Sequence, residues 1–465
     1  MTSKVGLIGL GVMGSNLSLN ILDKGFALSV FNRVDVGEEN MVQDFLKTHK
    51  NYPHLKGFTS FKEFVVSLEK PRQIVLMIKA GEAVDMVIDQ LIPYLEEGDI
   101  IIDGGNSHIN DTARRVSFLE DHKNLHFIGC GISGGAKGAR FGPSMMPGGD
   151  KSAYEKIAPI LNKISAKDKN GLPCRAYIGK NGAGHFVKMI HNGIEYAEMQ
   201  LLAELYSLLS IHSTNQEIAN ILRDWNKTEL SSYLLDITIK ILSTKEGDEY
   251  LLDKILDEAA NKGTGFWSVQ SAMELGETSS MMASALFARF ISSKRELRNN
   301  LGNKINQKDS DGSLQLDSLK QAYQFARIIN HHQGFEVLKQ ADREYGFDLN
   351  LSEIARIWTN GCIIRSSLME DLTKSFKTGD SILENSIYFN FLKQNEEHTS
   401  NSIKSAIDHR TSFDCFYSAY NYWIAMTTKR LPANLIQAQR DFFGGHTFKR
   451  TDRPYEENFN FKWED

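Results

Sequence analysis

The residues Val5-Gly-Leu-Ile-Gly9-Leu-Gly11-Val-Met-Gly14 decide the fold of the amino-terminal part of this 465-residue chain. They form a short apolar run that ends in the pattern G-x-G-x-x-G, and residues 15–22 continue with helical spacing. A strand, a glycine turn and a helix in this order are typical of a dinucleotide-binding sheet. Gly9 permits the tight turn, Gly11 lets the backbone approach a pyrophosphate, and Gly14 lets the helix pack closely. A plain glycine turn explains this context less well.

The chain divides into two parts with different periodicity. In the first part, short apolar runs alternate with helical patterns, which is the rhythm of a parallel sheet. In the second part helical spacing dominates, and the last thirty residues lose it, as expected of a tail that is either disordered or held against another surface. The prediction is an α/β Rossmann-type nucleotide-binding domain over residues 1–181, a large all-α domain over 182–435 and a C-terminal tail over 436–465. The predicted strands are 5–8, 28–31, 74–78, 100–102 and 126–128, and the predicted helices of the second part are 185–211, 216–224, 231–243, 249–260, 315–330 and 350–374.

Composition argues against several classes of protein. The 53 Lys and Arg residues and the 58 Asp and Glu residues leave a net charge of −5, so neither broad nucleic-acid binding nor a basic membrane-binding surface is expected. No run approaches the roughly 20 apolar residues that cross a bilayer, and the first strand begins too early for a secretion signal. The four cysteines lie far apart without metal-ligand spacing, which predicts small buried side chains in a reduced, cytoplasmic protein. No metal site is predicted, and the adjacent His331 and His332 are interpreted as surface histidines because neighbours in sequence point to different helix faces.

A polar stripe is predicted on the helix that opens the second part. At about 100° per residue, Lys188, His191, Asn192 and Glu195 lie on one face, with apolar neighbours on either side. A base, an acid and two hydrogen-bonding groups are costly to bury, and proteins bury such groups where a ligand or a reaction compensates the cost. A solvent-exposed polar face is the ordinary alternative for charged helix residues. The surrounding apolar residues favour burial, so the stripe is the predicted active site.

The second predicted strand ends in Asn32 and Arg33, where a dehydrogenase selective for NAD typically carries an acidic residue. A guanidinium at this point can bind a 2′-phosphate, so NADP is the favoured cofactor, and the nearby Asp35 moderates that preference. Loops 78–81 and 103–107 follow later strands and lie where ligands bind in parallel sheets. Each of these two loops is also consistent with a helix-capping turn.

Seven motifs, taken in order, resemble one enzyme family. They are the glycine turn, Asn32-Arg33, Gly104-Gly105-Asn106, Ser133-Gly134-Gly135, the helix pattern from Lys188 to Tyr196, Lys262-Gly-Thr264-Gly and Gln437-Ala-Gln-Arg440-Asp. Together they run nearly from end to end and resemble the family of decarboxylating 6-phosphogluconate dehydrogenases. The resemblance implies a homodimer, formed through the helical domain, that uses NADP to oxidise 6-phospho-D-gluconate. The implied products are D-ribulose 5-phosphate, carbon dioxide and NADPH, in the pentose phosphate pathway.

The resemblance also implies roles for individual residues. Lys188 matches the general base of the family and Glu195 its general acid. The family completes its substrate site with an arginine and a histidine from the partner's tail, which correspond to Arg440 and His446 here. The implied substrate-binding residues are Asn106, Ser133, Gly134, Gly135, His191, Asn192, the phosphate ligands Tyr196, Lys262, Thr264 and Arg289, and the tail residues Arg440 and His446. The implied cofactor-binding residues are Gly9, Leu10, Gly11, Val12, Met13, Gly14, Asn32, Arg33, Val34, Ile78, Lys79, Ala80 and Asn106.

Three sites depart from the usual pattern of the family. Gly11 stands where alanine is frequent, a change that is expected to loosen nothing essential. Val34 replaces the usual threonine, so recognition of a 2′-phosphate depends more on Arg33. Ala136 and Lys137 stand where two acidic residues are common, which is expected to alter contacts near the nicotinamide.

Two alternative functions share part of this pattern. A non-decarboxylating β-hydroxyacid dehydrogenase has the same kind of nucleotide domain and a similar lysine helix, but such proteins are shorter. A catalytically silent NADPH-binding sensor would be expected to have lost Lys188 or Glu195, and this chain retains both.

Overall fold

The first part of the chain forms a seven-stranded sheet in the computed structural model, which describes residues 2–260, 263–305 and 314–463. The strands are β1 (Val5–Ile8), β2 (Leu28–Phe31), β3 (Leu55–Phe58), β4 (Gln73–Leu76), β5 (Ile100–Asp103), β6 (His126–Ser133) and β7 (Ser144–Gly149). Their order across the sheet is β3-β2-β1-β4-β5-β6-β7, with β7 antiparallel to β6 and the other pairs parallel. The carboxyl ends of β1 to β6 therefore meet at one edge of the sheet.

Helices cover both faces of this sheet. They are α1 (Val12–Asp23), α2 (Met41–Thr48), α3 (Phe61–Val66), α4 (Glu82–Leu91), α5 (Ile109–Lys123), α6 (Gly135–Phe141) and α7 (Lys151–Ile164). Leu17 of α1 and Ile157 of α7 belong to one apolar cluster, and Phe64 of α3 and Ile88 of α4 belong to a second. Because the central strands are buried on both faces, they are continuous apolar runs that sequence patterning detects.

The second part is mainly helical. Its helices are α8 (Ala183–Leu209), α9 (Asn215–Trp225), α10 (Tyr233–Ser243), α11 (Thr264–Glu274), α12 (Ser280–Ser292), α13 (Arg295–Gly302), α14 (Leu316–Tyr345), α15 (Leu351–Ile357), α16 (Ser367–Ser375), α17 (Ser386–Gln394), α18 (Glu396–Asp408), α19 (Asp414–Thr427) and α20 (Ala433–Gly444). A hairpin of β8 (Lys245–Glu246) and β9 (Glu249–Tyr250) follows α10. The long helices α8 and α14 share one large apolar cluster, so α8 joins the core of the helical part to the sheet. None of the helices in the described part of the chain has the length and apolar character needed to cross a membrane.

Glycines let α8 run directly along β6. A Cβ on Gly131 of β6 would lie 2.3 Å from the Cβ of Lys188, and a Cβ on Gly184 would lie 2.3 Å from the carbonyl oxygen of Gly129. Cβ atoms do not approach other heavy atoms so closely, so both positions require glycine for this packing. The first turns of α8 therefore pass the carboxyl end of β6 at close range.

The predicted fold class is confirmed, but two strands of the seven-stranded sheet were not predicted. β3 is only partly buried and contains Lys56 and Gly57, so it lacks an apolar run. β7 contains Pro147 and two glycines, which mask it in the sequence although all six of its residues are buried. Both strands are set by pairing with a neighbour in the sheet rather than by local propensity.

Several predicted helix boundaries are wrong. The helix predicted over 249–260 is replaced by β9, a short 3₁₀ turn over Leu251–Lys254 and irregular chain. The helix predicted over 315–330 extends to Tyr345. The helix predicted over 350–374 is two helices, α15 and α16, because Gly361 adopts a φ of +70° between them and cannot continue a right-handed helix.

The interpretation of His331 and His332 as surface residues is also wrong, since both are buried. Every residue of α14 from 322 to 335 is buried, so adjacent histidines face the interior on different sides of the helix. Nδ1 of His331 lies 2.8 Å from the Arg327 carbonyl oxygen, and Nε2 of His332 lies 3.1 Å from the Tyr422 hydroxyl. The buried state of all four cysteines, by contrast, confirms the prediction from their spacing.

Candidate active site

The glycine turn after β1 has the shape that a dinucleotide requires. Gly9 has a φ of +101°, and a Cβ on Gly14 would lie 1.8 Å from the Gly9 carbonyl oxygen, so α1 packs tightly onto the turn. At Gly11, by contrast, no heavy atom lies within 4 Å of the Cβ position. Gly11 is the N-cap of α1, and backbone N–H groups at such a helix end attract an anion. The turn therefore fits a pyrophosphate, and Val12 and Met13 form the first turn of the helix behind it.

The end of β2 is tied to this turn. The buried Asn32 side chain accepts a hydrogen bond from the Leu10 backbone N–H, with 3.0 Å between the heavy atoms. The amide nitrogen of Asn32 donates to the Glu38 carboxylate at 3.0 Å. Arg33 and Val34 are exposed, and the Arg33 guanidinium forms an ion pair with Asp35 at 3.1 Å. The cation predicted to bind a 2′-phosphate is thus already paired with a carboxylate.

The loops after β4 and β5 lie at the same edge of the sheet. Lys79 is exposed, and its neighbours Ile78 and Ala80 are partly exposed. After β5, the buried Asp103 carboxylate accepts hydrogen bonds from the Gly105 backbone N–H at 3.0 Å and from the Ser107 hydroxyl at 2.6 Å. These two bonds form a tight turn that leaves Asn106 exposed.

The structure brings the predicted stripe together on α8. The Lys188 amine donates a hydrogen bond to the Asn192 side-chain oxygen and lies 3.4 Å from Nδ1 of His191. The same nitrogen of His191 lies 3.7 Å from the Glu195 carboxylate. Lys188 and Asn192 are 7% exposed and His191 is fully buried, whereas the Glu195 side chain is 20% exposed. The predicted burial of this helix face is therefore confirmed.

The loop from β6 to α6 faces the same helix. Nε2 of His191 lies 3.1 Å from the hydroxyl of Ser133, the last residue of β6. Gly134 follows with a φ of +108°, and a Cβ there would lie 2.5 Å from the Gly361 carbonyl oxygen. Gly135 then begins α6 and is exposed. His191 thus links the loop of the sheet to the lysine of the helix.

Burial sets the protonation states of the stripe. It lowers the pKa of the Lys188 amine, an effect that the Glu195 carboxylate opposes. Burial raises the pKa of Glu195, against the opposing charges of Lys188 and Arg289. Burial and the neighbouring Lys188 hold the pKa of His191 well below its usual range, so this imidazole is neutral. Both shifts run towards the neutral amine and the protonated carboxyl group, the forms that a general base and a general acid need.

Next to the stripe lies a second polar group, built around Tyr196. The carbon of the Arg289 guanidinium lies 3.6 Å from the centre of the Tyr196 ring, and Arg289 donates to the Ala260 carbonyl oxygen at 3.0 Å. A Cβ on Gly265 would lie 2.3 Å from that ring, so the start of α11, including the buried Thr264, packs against it. Lys262 lies outside the described residues. Tyr196, Thr264 and Arg289 are thus gathered at one end of the stripe.

The two predicted tail residues are not brought to this site within one chain. Arg440 donates to the Gln437 side chain at 3.1 Å within α20, and the His446 ring contacts the Phe443 ring with 6.0 Å between their centres. Over the described residues, no hydrogen bond or ion pair joins 433–463 to any residue before Pro432. The exposed apolar side chains of the tail are Leu435, Ile436, Phe442, Phe443, Tyr455, Phe461 and Trp463.

Two supporting groups were missed in the sequence. His185 joins α8 to the nucleotide edge, with Nδ1 2.7 Å from the Thr112 hydroxyl and Nε2 3.0 Å from the Asp103 carbonyl oxygen. Arg115 of α5 binds the Asp85 carboxylate at 2.8 Å and so holds the start of α4. The Thr112 and Asp103 partners of His185 and the Asp85 partner of Arg115 lie at least 30 residues away along the chain, so local patterns do not reveal these contacts. The one available signal was that His185 lies three residues before Lys188 and so shares its helix face.

The sheet carries a glycine turn after its first strand, and a helix with a buried lysine joins this sheet to the helical core. Together these features define a nucleotide-dependent dehydrogenase. Similarity to known protein families identifies the particular family. A family model described as the NAD binding domain of 6-phosphogluconate dehydrogenase matches residues 4–179, and one described as the C-terminal domain of 6-phosphogluconate dehydrogenase matches residues 184–463. The chain therefore belongs to the 6-phosphogluconate dehydrogenase family.

Similar proteins agree over nearly the whole length. The chain is 45% identical to the decarboxylating 6-phosphogluconate dehydrogenase of Salmonella typhimurium and 44% identical to that of Escherichia coli, with 99% of each chain covered in both cases. The Plasmodium falciparum 6-phosphogluconate dehydrogenase, solved in its apo form and in complexes with NADP+ and with 6-phosphogluconate, superposes with a TM-score of 0.93. That structure is 39% identical in sequence, and the match covers 99% of this chain and 100% of the other.

Proposed function

We propose that this protein catalyses the oxidative decarboxylation of 6-phospho-D-gluconate to D-ribulose 5-phosphate and carbon dioxide, with reduction of NADP, as in the pentose phosphate pathway. One observation carries the proposal. A buried lysine with a lowered pKa shares one helix face with a carboxyl group whose pKa is raised, and this helix packs on the sheet that carries the dinucleotide-binding turn. Family membership, and relatives named for this reaction, support the same conclusion.

Lys188 acts as the general base in this proposal. Its neutral amine takes the proton of the 3-hydroxyl group, and NADP, when bound, accepts the hydride from the same carbon. The lysine is then an ammonium that donates a hydrogen bond to the new 3-keto oxygen. As the carboxylate leaves, this bond stabilises the enolate, and the residues present can do so without a metal ion. In the part of the chain that the structure describes, no three metal-binding side chains are grouped.

Glu195 acts as the general acid that follows. The enediol left by decarboxylation needs a proton at C1, and a carboxyl group whose pKa is raised by burial can supply it. Glu195 lies about two helical turns from Lys188, so one rigid helix positions both groups along the sugar chain. His191 and Asn192 hold Lys188, and Ser133 with the turn of Gly134 and Gly135 provides the facing wall together with Asn106.

The proposed cofactor-binding residues lie in the loops at the carboxyl ends of the strands. Gly9 to Gly14 cradle the pyrophosphate, Asn32, Arg33 and Val34 face the adenosine ribose, and Ile78, Lys79, Ala80 and Asn106 line the remaining edge. The open space at Gly11 and the hydrogen bond from Leu10 to Asn32 support this assignment.

The substrate phosphate binds beside Tyr196. Thr264 and Arg289 contribute from the same chain, and Lys262 is a further proposed phosphate ligand. Arg440 and His446 complete the site from the tail of the partner subunit, so the active unit is a homodimer. The isolation of the tail from its own chain and its exposed apolar side chains support tail exchange. The proposed domains are 1–181, 182–435 and the tail 436–465, although α20 begins three residues before that tail boundary. Cytoplasmic localisation stays a prediction of the sequence.

The function is tested by incubating the purified protein with 6-phosphogluconate and NADP while recording NADPH absorbance and released carbon dioxide together. Equal amounts of both products are expected. NADPH without carbon dioxide would identify a non-decarboxylating dehydrogenase. Nucleotide binding without turnover on any sugar acid would identify a silent sensor, and either result would overturn the proposal.

A further inference from the structure

The ribose end of the nucleotide site combines one cation with three carboxylates. Between Asn32 and Asn40 the only basic residue is Arg33, whereas Asp35, Glu38 and Glu39 are acidic. This segment directly follows β2, at the position where dinucleotide-binding folds distinguish a 2′-hydroxyl from a 2′-phosphate. The charge of the segment therefore bears on which nucleotide the protein accepts.

Asp35 is held in a position to compete for Arg33. One carboxylate oxygen accepts a hydrogen bond from the Val36 backbone N–H at 2.8 Å, and the other lies 3.1 Å from the Arg33 guanidinium. The side chains of Arg33 and Asp35 are 66% and 50% exposed. A 2′-phosphate that approaches Arg33 has to displace this carboxylate or bind beside it, against like charge.

Glu38 reaches the strand end itself. Its carboxylate accepts a hydrogen bond from the Asn32 amide at 3.0 Å, while the other end of that amide binds the Leu10 backbone N–H in the glycine turn. A carboxylate therefore lies next to the position where an acidic strand-end residue typically accepts a hydrogen bond from the ribose hydroxyl. Glu39 adds a third negative charge, and its carboxylate accepts from the Gly37 backbone N–H at 3.0 Å.

A 2′-phosphate and a 2′-hydroxyl make opposite demands on such a segment. The phosphate carries nearly two negative charges and binds where cations outnumber carboxylates. The hydroxyl is neutral and binds well where a carboxylate accepts a hydrogen bond from it. Here Arg33 favours the phosphate, Asp35 and Glu38 oppose it, and Glu38 favours the hydroxyl.

We infer that this protein uses NAD as a second cofactor beside NADP, and that Asp35 is a specificity-determining residue that weakens its preference for the 2′-phosphate. The inference rests on the proposed function for its catalytic readout. NADP still binds, because an exposed ion pair is easily exchanged for a stronger phosphate contact. NAD binds because a ribose hydroxyl can donate a hydrogen bond to the Glu38 carboxylate, which the Asn32 amide already holds at the strand end.

The test compares the wild-type protein with Asp35→Asn, Glu38→Gln and a control, Glu69→Gln. Glu69 pairs with Lys4 at the start of β1, at the opposite edge of the sheet, so the control makes the same change in net charge away from the site. Two readouts are taken for each protein. One is kcat/KM with each oxidised nucleotide at saturating 6-phosphogluconate, and the other is the Kd of NADPH and of NADH from fluorescence titration without substrate.

We expect the wild-type kcat/KM with NAD to lie within about a hundredfold of the kcat/KM with NADP. Asp35→Asn should tighten NADPH binding by about 3- to 10-fold and leave NADH binding within about twofold, because it removes one like charge and frees Arg33. Glu38→Gln should weaken NADH binding by about 3- to 10-fold, as expected when a charged acceptor becomes neutral. Glu69→Gln should change neither Kd.

The inference is overturned if NADH shows no binding at millimolar concentration, or if Asp35→Asn alters the two Kd values no more than Glu69→Gln does. A different failure separates the proposed function from this inference. If neither nucleotide supports turnover while the titrations of the four proteins follow the expected pattern, the proposed reaction is wrong and the specificity assignment stands on binding alone.

Discussion

The proposed site residues on the polar face of α8 and those in the carboxyl-terminal tail differ in burial and in their bonding partners. On α8, Lys188, His191 and Asn192 are buried and bound to one another within one chain. In the tail, Arg440 and His446 are exposed, and the described residues 433–463 bond mainly among themselves. The tail is nevertheless ordered, since the Asp441 carboxylate accepts from the Thr447 and Phe461 backbones and from the Trp463 indole.

This difference separates the proposed acid–base residues, which lie on α8, from the proposed substrate-binding residues of the tail. Burial is the largest cause of the shifts in the pKa values of Lys188 and Glu195, and both shifts run in the directions that the proposed catalysis needs, so the proposed base and acid belong to one chain. The proposed phosphate site is not complete in one chain, because the two tail residues proposed for it, Arg440 and His446, lie on a separate folded arm. Five predictions test this division.

The largest effect is expected from Lys188→Ala, which removes the base from the buried face. Turnover should fall by at least about 10³-fold, since positioned general bases contribute factors of this size and the same amine also stabilises the enolate. NADP binding, measured by titration, should stay within about twofold, because the glycine turn is untouched. Lys180→Ala provides a control at an exposed lysine before α8. Retention of more than a few per cent of wild-type turnover would refute the role of Lys188.

Arg440→Ala should raise the KM for 6-phosphogluconate by about 10²-fold, the size expected when one charged phosphate contact is lost, and leave the Kd of NADP unchanged. Arg450→Ala is the control, since Arg450 pairs with Asp452 inside the tail. Truncation before Arg440 should act in the same direction. Equal losses of substrate and cofactor binding would contradict a shared substrate site.

Mixing Lys188→Ala and Arg440→Ala subunits sharpens this test. In a mixed dimer with exchanged tails, one site combines an intact Lys188 with an intact Arg440. Random reassociation should therefore restore about a quarter of the wild-type activity, since half of the dimers are mixed and each has one intact site. No recovery, with mixed dimers demonstrated by mass, would show that the tail serves its own chain or none.

Glu195→Gln should lower kcat by about 10- to 10²-fold and change the pH profile. The wild-type protein needs a neutral Lys188, which is lost as pH falls through its lowered pKa, and a protonated Glu195, which is lost as pH rises through its raised pKa. The variant should lose the alkaline limb. Its acid limb should move to lower pH, because the Glu195 charge no longer supports the Lys188 ammonium. An unchanged alkaline limb would exclude Glu195 as its source.

The smallest effect is expected on stability, from Gly131→Ala. The new Cβ would lie 2.3 Å from the Lys188 Cβ, so β6 and α8 have to separate slightly, at a cost of about 1–3 kcal/mol in the free energy of unfolding. Gly379→Ala is the control, since no heavy atom lies within 4 Å of its Cβ position. Urea unfolding measures both variants. Equal urea midpoints for the two variants would mean that β6 and α8 leave room for a Cβ at residue 131.

Local signals predicted the parts of the molecule that depend on near neighbours. The glycine turn, the apolar central strands and the face of α8 all follow from residues within ten positions of one another, and their structures are confirmed. The strands β3 and β7, the burial of His331 and His332 and the break at Gly361 were not predicted, because each depends on a partner distant in the chain. The assignment of roles to the site residues stays a prediction.

The sequence by itself determined the order of the two parts, the nucleotide turn and the alignment of Lys188, His191, Asn192 and Glu195, since helical periodicity places them on one face whatever surrounds it. Only the tertiary structure decided that β6 would cover this face and bring Ser133 to His191, and that the tail would stand apart from its own chain. The physical reason is that periodicity sets direction around a helix, whereas burial, and with it the pKa of a lysine, depends on which distant segments pack against it.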